Sequence, residues 1–346
     1  MGILGFYLKK LYTIFKGEVL VLPSRVVVVI FVLVLIFLPF LIQSPYLLRI
    51  MVLTSIFAIF AASWDLLSGF TGQMNFGHAL FFGVGAYTTA LVNLHAHLPP
   101  WASIPLGALA AVLAGLIIGI PCLRLKGTYL ALTTLSFPII LIGLVYAFPD
   151  FTGGELGLSG LDRLSGSRLS DYYITAGLML GLCTIMWKIT ESNTGIIFHA
   201  IREDEVAVRA SGINTTRYKL LAFCLSGFFA GISGGLYAHF MRIAGPSTLE
   251  MSMSFTVIIW AIFGGIVTIY GPVAAVFILY PLMEFFQFWP EYRMLLFAVV
   301  VLFTLLYMPD GLIPWLRDKA ETECPRCKVK NIATRKTCRI CTADLG

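Results

Sequence analysis

Apolar runs close to the length that crosses a bilayer recur from residue 26 to residue 309, separated by short polar or glycine-rich punctuation. At about 20 apolar residues per crossing, they predict ten helices near 26–42, 46–67, 73–93, 103–121, 128–148, 171–190, 218–241, 253–270, 272–289 and 293–309. The fold class that follows is an all-α polytopic membrane protein. Two connections are too long to be simple turns: 149–170, rich in Gly, Ser and Leu, and 191–217, with a dense charge cluster. Small residues recur at every fourth position in Ala111, Gly115 and Gly119, and again in Gly227, Gly231 and Gly235. Such faces let helix backbones approach closely in lipid, where hydrophobicity does not drive helices together.

Composition agrees with the pattern. Of 346 residues 58% are hydrophobic and 12% charged, against about 25% charged in a soluble domain. A soluble single-core fold, a disordered chain and a disulfide scaffold are excluded. The net charge of +6 is read as a topology signal rather than as a footprint for nucleic acid. With the N-terminus inside, thirteen Lys and Arg fall in cytoplasmic segments before the six of the cysteine-rich tail are counted, while the opposite face holds Arg49, Arg163, Arg168, Arg242 and Arg293. The positive-inside rule then predicts that both termini are cytoplasmic. Residues 1–25 mix aromatics with Lys9, Lys10, Lys16 and Arg25, which suits an interfacial helix. The apolar run after them is long for a signal peptide, and no small-residue cleavage site follows it.

Three constellations carry candidate chemistry. Between the second and third predicted helices lies Gly69-Phe70-Thr71-Gly72-Gln73-Met74-Asn75-Phe76-Gly77-His78. Its glycines permit an unwound backbone, and Gln73, Asn75 and His78 would present polar groups to a solute, as discontinuous helices do in transporters. The alternative is a tight turn followed by interhelical hydrogen bonds. In 194–217, Gly195 opens a short helix with an apolar face from Ile196 to Phe198 and a charged face in Arg202, Glu203, Asp204 and Glu205. Gly212 leads to Asn214, which fits an N-cap for the next span. An amphipathic helix in such a loop can dock in a groove on a soluble partner, or simply be a solvated loop. Third, Cys324-Pro-Arg-Cys327 and Cys338-Arg-Ile-Cys341 are two C-x-x-C pairs ten residues apart. That spacing matches a closed four-thiolate zinc site. No Gly-Lys dipeptide occurs, so no nucleotide is held by a P-loop in this chain.

The runs Trp64 to Gln73, Gly77-His78, Gly83 to Tyr87, Arg124 to Ala131, Thr152 to Leu158, Ala200 to Glu205, Ala210 to Asn214, Tyr218 to Phe223 and Met308 to Leu312 together resemble the permeases of branched-chain amino-acid ABC importers of the LivM type. The resemblance spans about 46 to 313. It implies an ABC importer permease bundle in 26–313, in the inner or plasma membrane of a prokaryote, with no enzymatic activity of its own. It further implies a heterodimer with a second permease, two cytoplasmic ATPase subunits and an extracytoplasmic solute-binding protein. On it, 195–214 is the coupling helix, with Gly195, Arg202, Glu203, Asp204 and Gly212 as its marks. Gln73, Asn75 and His78 are then candidates for the translocation path, and Thr152, Gly153 and Gly154 for the binding-protein dock. The cysteine tail over 321–346 departs from the family pattern and resembles a small appended zinc ribbon, which leaves Zn²⁺ as the expected cofactor. An ion-coupled secondary transporter for a small polar solute is the rival reading. It calls for buried ionisable groups, in which the predicted spans are poor.

Overall fold

The computed structural model describes residues 23–41, 44–123, 125, 127–289, 291–333, 337–338, 340–341 and 342–344. All but the last three residues of the predicted interfacial segment 1–25 lie outside these, as do Arg124 and Lys126. The chain divides into two compact units, Ser44–Gly311 and Met1–Gln43 with Leu312–Gly346.

The first unit is a helical bundle. Its elements are α2 (Pro45–Trp64), continued by a π-helical turn over Asp65–Gly69, then α3 (Ala79–Ala96), α4 (Pro100–Cys122), α5 (Thr128–Ala147), the single turn α6 (Pro149–Thr152) and α7 (Arg168–Thr190). After them come α8 (Asn193–Glu203), α9 (Glu205–Ala210), α10 (Thr215–Met241), α11 (Met251–Gly264), α12 (Tyr270–Phe285) and α13 (Arg293–Tyr307). In the other unit, α1 (Pro23–Leu41) precedes the bundle in sequence, and α14 (Leu312–Ala320) leads to a hairpin of β3 (Glu321–Glu323) and β4 (Lys330–Ile332). A helix thus stands at each of the ten predicted positions. Among the described residues six are long and apolar enough to cross a membrane: Pro45–Gly69, α3, α4, α5, α7 and α10. The count of ten crossings is therefore not established, because α11 and α12 have 14 and 16 residues.

The two largest boundary differences share a reason, namely that polar side chains take over the backbone groups. The third helix starts at Ala79, not 73, because Asn75 accepts from the Gly77 N–H (3.0 Å) and holds 72–78 off helix. The eighth stops at Gly264, not 270; Gly265 and Val267 have φ of 106° and 68°.

Burial sorts the bundle. In α2, 94% of the apolar window is buried, against 28% in both α5 and α7. The central helix therefore needs partners for its polar atoms inside the protein. Ser226 and Ser233 of α10 supply two, donating to the Ser63 and Ile56 carbonyls at 2.7 Å. The two small-residue ladders face each other: a Cβ on Gly231 would sit 2.7 Å from Ala111 Cβ, and one on Gly85 only 2.4 Å from the Gly231 carbonyl. Helices α3, α4 and α10 thus meet backbone to backbone, as expected where dispersion rather than hydrophobicity holds helices together. At the end away from α8, β1 (Leu158–Ser159) pairs antiparallel with β2 (Ile243–Ala244). Asp162 there accepts from Asn93 Nδ2 (2.8 Å), and its carbonyl bonds His239, whose other ring nitrogen meets Ser103.

A Cβ on Gly234 would fall 2.0 Å from the Phe82 carbonyl, whereas one on Gly143 meets nothing. Gly234→Ala should lower stability by about 1–3 kcal/mol through overpacking, read as a drop in the melting temperature of the detergent-solubilised protein. Gly143→Ala should leave it unchanged or raised.

Candidate functional site

The site grows from the interruption after α2. Asp65 starts a π-helical turn, a local widening that often marks functional positions. Its buried carboxylate leaves its own helix and accepts from the backbone N–H of Val267 (2.8 Å) and Thr268 (3.0 Å), anchoring the turn between α11 and α12. Gly69 makes room for it, since a Cβ there would collide with the carboxylate. Residues 72–78 then fold back along α2 until His78 stacks on Phe60 at 4.9 Å and meets Ser63 Oγ at 2.9 Å. That is roughly two to three helical turns short of where the helix ended. There α3 begins, its first N–H donating to Ser254 Oγ in the first turn of α11 (2.9 Å). The first turns of two helices thus meet inside the bundle.

Every polar side chain of the break has a structural task. Trp64 Nε1 donates to the Asn75 carbonyl at 2.8 Å, and the Phe76 N–H to Thr134 Oγ1 at 3.1 Å. Asn75 Nδ2 faces His78 Nδ1 at 3.3 Å. With that donor on Nδ1, the network assigns the ring proton to Nε2, which donates to Ser63, while Ser63 passes its own proton to the Phe60 carbonyl (2.7 Å). Gln73 Nε2 donates to Thr71 Oγ1 (2.9 Å) and the Lys219 carbonyl (3.3 Å), and its Oε1 has no partner. Gln73, Asn75 and His78 are 3%, 2% and 0% exposed. Their side chains are packed against protein.

The charged segment is two helices joined at Asp204, not one. Asp204 Oδ1 accepts from the Val206 and Ala207 N–H groups at 2.8 and 3.1 Å, so this acid is the N-cap of α9. Asn214 caps α10 as expected, accepting from Arg217 N (3.2 Å). Gly195 lets α8 lie against the end of α7, where a Cβ would strike the Thr190 carbonyl; Gly212 turns at φ 84°. Phe198 and Ile201 point inward, while Ile196, Glu203 and Val206 are exposed. The segment sits on the break: Arg202 Cγ would lie 3.2 Å from a Cβ on Gly72, and His199 meets Phe70 edge-on at 5.0 Å. Sequence reasoning missed Glu205 as the hub. Its two oxygens pair with Arg209 and with the buried Lys219, each at 2.7 Å, and Lys219 offers its carbonyl to Gln73. The fourteen-residue gap to Lys219 hides that pair from helix-periodicity arguments.

At the other end Thr152 Oγ1 donates to the Val145 and Phe148 carbonyls at 2.7 and 2.8 Å, and Gly153 turns at φ 76°. Thr152, Gly153 and Gly154 thus close α5, with Phe148, Phe151 and Leu156 exposed around them. In the tail, the sulfurs of Cys324, Cys327, Cys338 and Cys341 all lie within 4.8 Å of one another. Cys324–Cys341 and Cys327–Cys338 are each 3.5 Å apart, near the ~3.8 Å edge of a tetrahedron with ~2.3 Å metal–sulfur bonds. The Cys341 and Ile340 N–H groups point at Cys338 and hold its thiol down at about 6. The donor set and spacing fit a metal ion bound by thiolates.

The description "branched-chain amino acid transport system / permease component" belongs to a family whose model matches residues 46–305. The high-affinity branched-chain amino acid transport system permease protein LivM of Escherichia coli is 30% identical, over 83% of this chain and 72% of its own length. A probable branched-chain amino acid transport permease protein LivM from Methanocaldococcus jannaschii is 24% identical over 77% of this chain and 92% of its own. The guanosine ABC transporter permease protein NupQ of Bacillus subtilis is 23% identical over 62% of this chain and 71% of its own. No solved structure matches. The chain belongs to this permease family, and is a helical polytopic permease with a zinc-ribbon-like tail.

Replacing Glu205 by Gln keeps shape but leaves the buried Lys219 ammonium without its carboxylate, a loss of about 3–5 kcal/mol for a fully buried pair and less at this partly exposed one. Amide exchange in 193–219 should speed up by at least about tenfold. Glu203→Gln, on the exposed face, should not change it.

Proposed function

We propose that this member of the permease family is the membrane-spanning subunit of an ABC importer that brings branched-chain amino acids, or closely related small amino acids or amides, into the cytoplasm. Energy comes from ATP hydrolysis on partner chains, because no phosphate-cradling motif exists here. The partners are a second permease, two cytoplasmic ATPases and an extracytoplasmic binding protein, in a prokaryotic cell membrane with both termini of this chain cytoplasmic. One observation carries the reading. An exposed two-helix segment, 193–210, rests on an interrupted helix through Arg202, His199 and the Glu205–Lys219 pair. Its outer face, with Ile196, Glu203 and Val206, has the mixed apolar and charged character of a helix seated in a partner's groove.

The mechanism is alternating access without chemistry in this chain. Closure of the ATPase pair pushes 193–210, which carries the Gly72–His78 break with it and alters how α3 and α11 meet. Gln73, Asn75 and His78 act by holding the break that borders the path. Thr152, Gly153 and Gly154 cap α5 where the binding protein docks. Cys324, Cys327, Cys338 and Cys341 hold one structural Zn²⁺, whose bonds replace the core that a hairpin so small lacks.

The four-component complex, reconstituted with ATP on the ATPase side, should take up leucine, isoleucine and valine. Glu203→Lys should cut that uptake by about tenfold, about 1.4 kcal/mol, without loss of folding. Uptake of guanosine or ribose in preference would reassign the cargo. Uptake by this chain alone under a proton or sodium gradient would replace the whole reading. Elemental analysis should find about one zinc per chain, the ion set by four thiolates, and Cys338→Ser should abolish it.

A further inference from the structure

Of the five basic residues that the positive-inside reading puts opposite the N-terminus, all but Arg293 line one recess of about 710 Å³, at the end of the bundle away from α8. Arg49 stands one turn into α2, Arg163 lies in the connection before α7, Arg168 opens α7, and Arg242 follows α10 at φ 58°. All four are exposed, and among the described residues none of them forms an ion pair. The acid in the lining, Asp171, is buried and accepts from Ser165 Oγ at 2.7 Å. Glu284, near the rim, accepts from the Tyr46 hydroxyl at 3.4 Å. Arg242 Nε donates to the Leu161 carbonyl at 2.9 Å, which steadies its guanidinium. The capped start of α7 adds the positive end of a helix to the same space. Four guanidiniums around one recess repel one another, and an anion between them relieves that repulsion. All are Arg and none Lys, and the planar fork of Arg matches carboxylate and phosphate.

We propose that this recess binds the phosphate-bearing headgroup of an anionic membrane phospholipid, in the leaflet at the end away from 193–210. Charge selects the class first. Four guanidiniums against one committed carboxylate repel an ammonium, which argues against an amino-acid zwitterion or a choline headgroup. Depth comes next. Arg49 lies about 6 Å along the membrane-crossing segment that begins at Pro45, so its guanidinium sits at or below the level of the headgroups. The arginines also share the recess with half-buried Leu48, Phe240 and Met241. Apolar surface beside the charges suits the glycerol and first methylenes of a lipid, and an acidic protein loop has no need of it. Exposed Tyr46 on the rim, with Leu169 and Tyr173 exposed on the first turns of α7, matches the aromatic and apolar side chains that mark a membrane interface. The proposal needs only a chain that crosses the bilayer and does not depend on which solute is carried.

The test is thermal melting of the detergent-solubilised full chain, titrated with dihexanoyl-phosphatidylglycerol, dihexanoyl-phosphatidylcholine or inorganic phosphate. A ligand that binds the folded state raises the melting temperature with its concentration. Phosphatidylglycerol should do so, and the other two should need at least about tenfold more for the same rise. Arg49→Gln combined with Arg168→Gln should weaken phosphatidylglycerol by about tenfold or more, the loss of two charge-assisted contacts. Arg49→Lys with Arg168→Lys keeps the charge without the fork and should fall between. Lys188→Gln, in the last turn of α7 at the other end of the bundle, should change nothing. Each variant is compared with itself without lipid, so a folding defect lowers every curve and leaves the lipid-dependent rise readable. An equal response to the two lipids, or phosphatidylglycerol binding that survives the Gln pair, overturns the site. Inorganic phosphate as effective as phosphatidylglycerol also overturns it, and assigns the recess to a free anion. If the Gln pair keeps its phosphatidylglycerol affinity but loosens the binding protein from the assembled importer, the recess belongs to an acidic protein surface and the lipid assignment falls.

Discussion

A chain that abandons helical geometry inside lipid must find, within the protein, a partner for each backbone group it frees. The rest of this structure follows from how Gly72–His78 meets that demand. The break has no regular hydrogen-bond ladder, and its groups are taken up by Trp64, Ser68, Asn75, Thr134 and Ser254, drawn from the break itself and from helices before and after it. The second turn, between α11 and α12, depends on the first, because its N–H groups of Val267 and Thr268 are held by Asp65. Two interruptions of the bundle are thereby tied through one carboxylate. Neither can move far without the other giving up those bonds.

The proposed coupling works through that dependence. The pair α8–α9 touches the break where the chain turns, at Gly72 and Phe70, and reaches it again through Glu205, Lys219 and Gln73. Gly72 has φ 69° and admits Arg202 at van der Waals range. A side chain there would strain the turn and push the segment away. Force applied to the exposed face of 193–210 therefore has a short, packed route into the place where α3 and α11 begin. The ends away from that segment are held differently, by Asn93, Asp162, His239 and Ser103. Those bonds fix that end of the bundle independently of the segment.

How much of this was legible in the sequence depended on the range of the interaction. Helix positions follow from apolar run lengths, and the α4 and α10 ladders mark faces fit for close packing, because both are properties of one segment at a time. The two C-x-x-C pairs declared their cluster for the same reason. The start of α3 was misplaced because apolar Phe76 and Ala79 extend the run, whereas Asn75 spends its side chain on the Gly77 N–H. Polar residues in the break read equally well as a solute lining or as internal bonds, and the folded neighbours that supply the internal bonds, Ser63 and Thr71 among them, are visible only in the structure. Glu205 with Lys219, and Asp65 with Val267, are pairings between elements far apart in sequence.

The central claim is that the surface segment and the break move as one body. It is tested most directly by distances between genetically encoded spin labels in the assembled transporter, with and without nucleotide. Met74 in the break, Val206 on the segment and Leu156 at the opposite end are all exposed and accept labels. The account predicts a 74–206 distance that stays fixed when nucleotide binds while the 74–156 distance changes. A 206 label that departs from 74, with 74–156 unaltered, would contradict it.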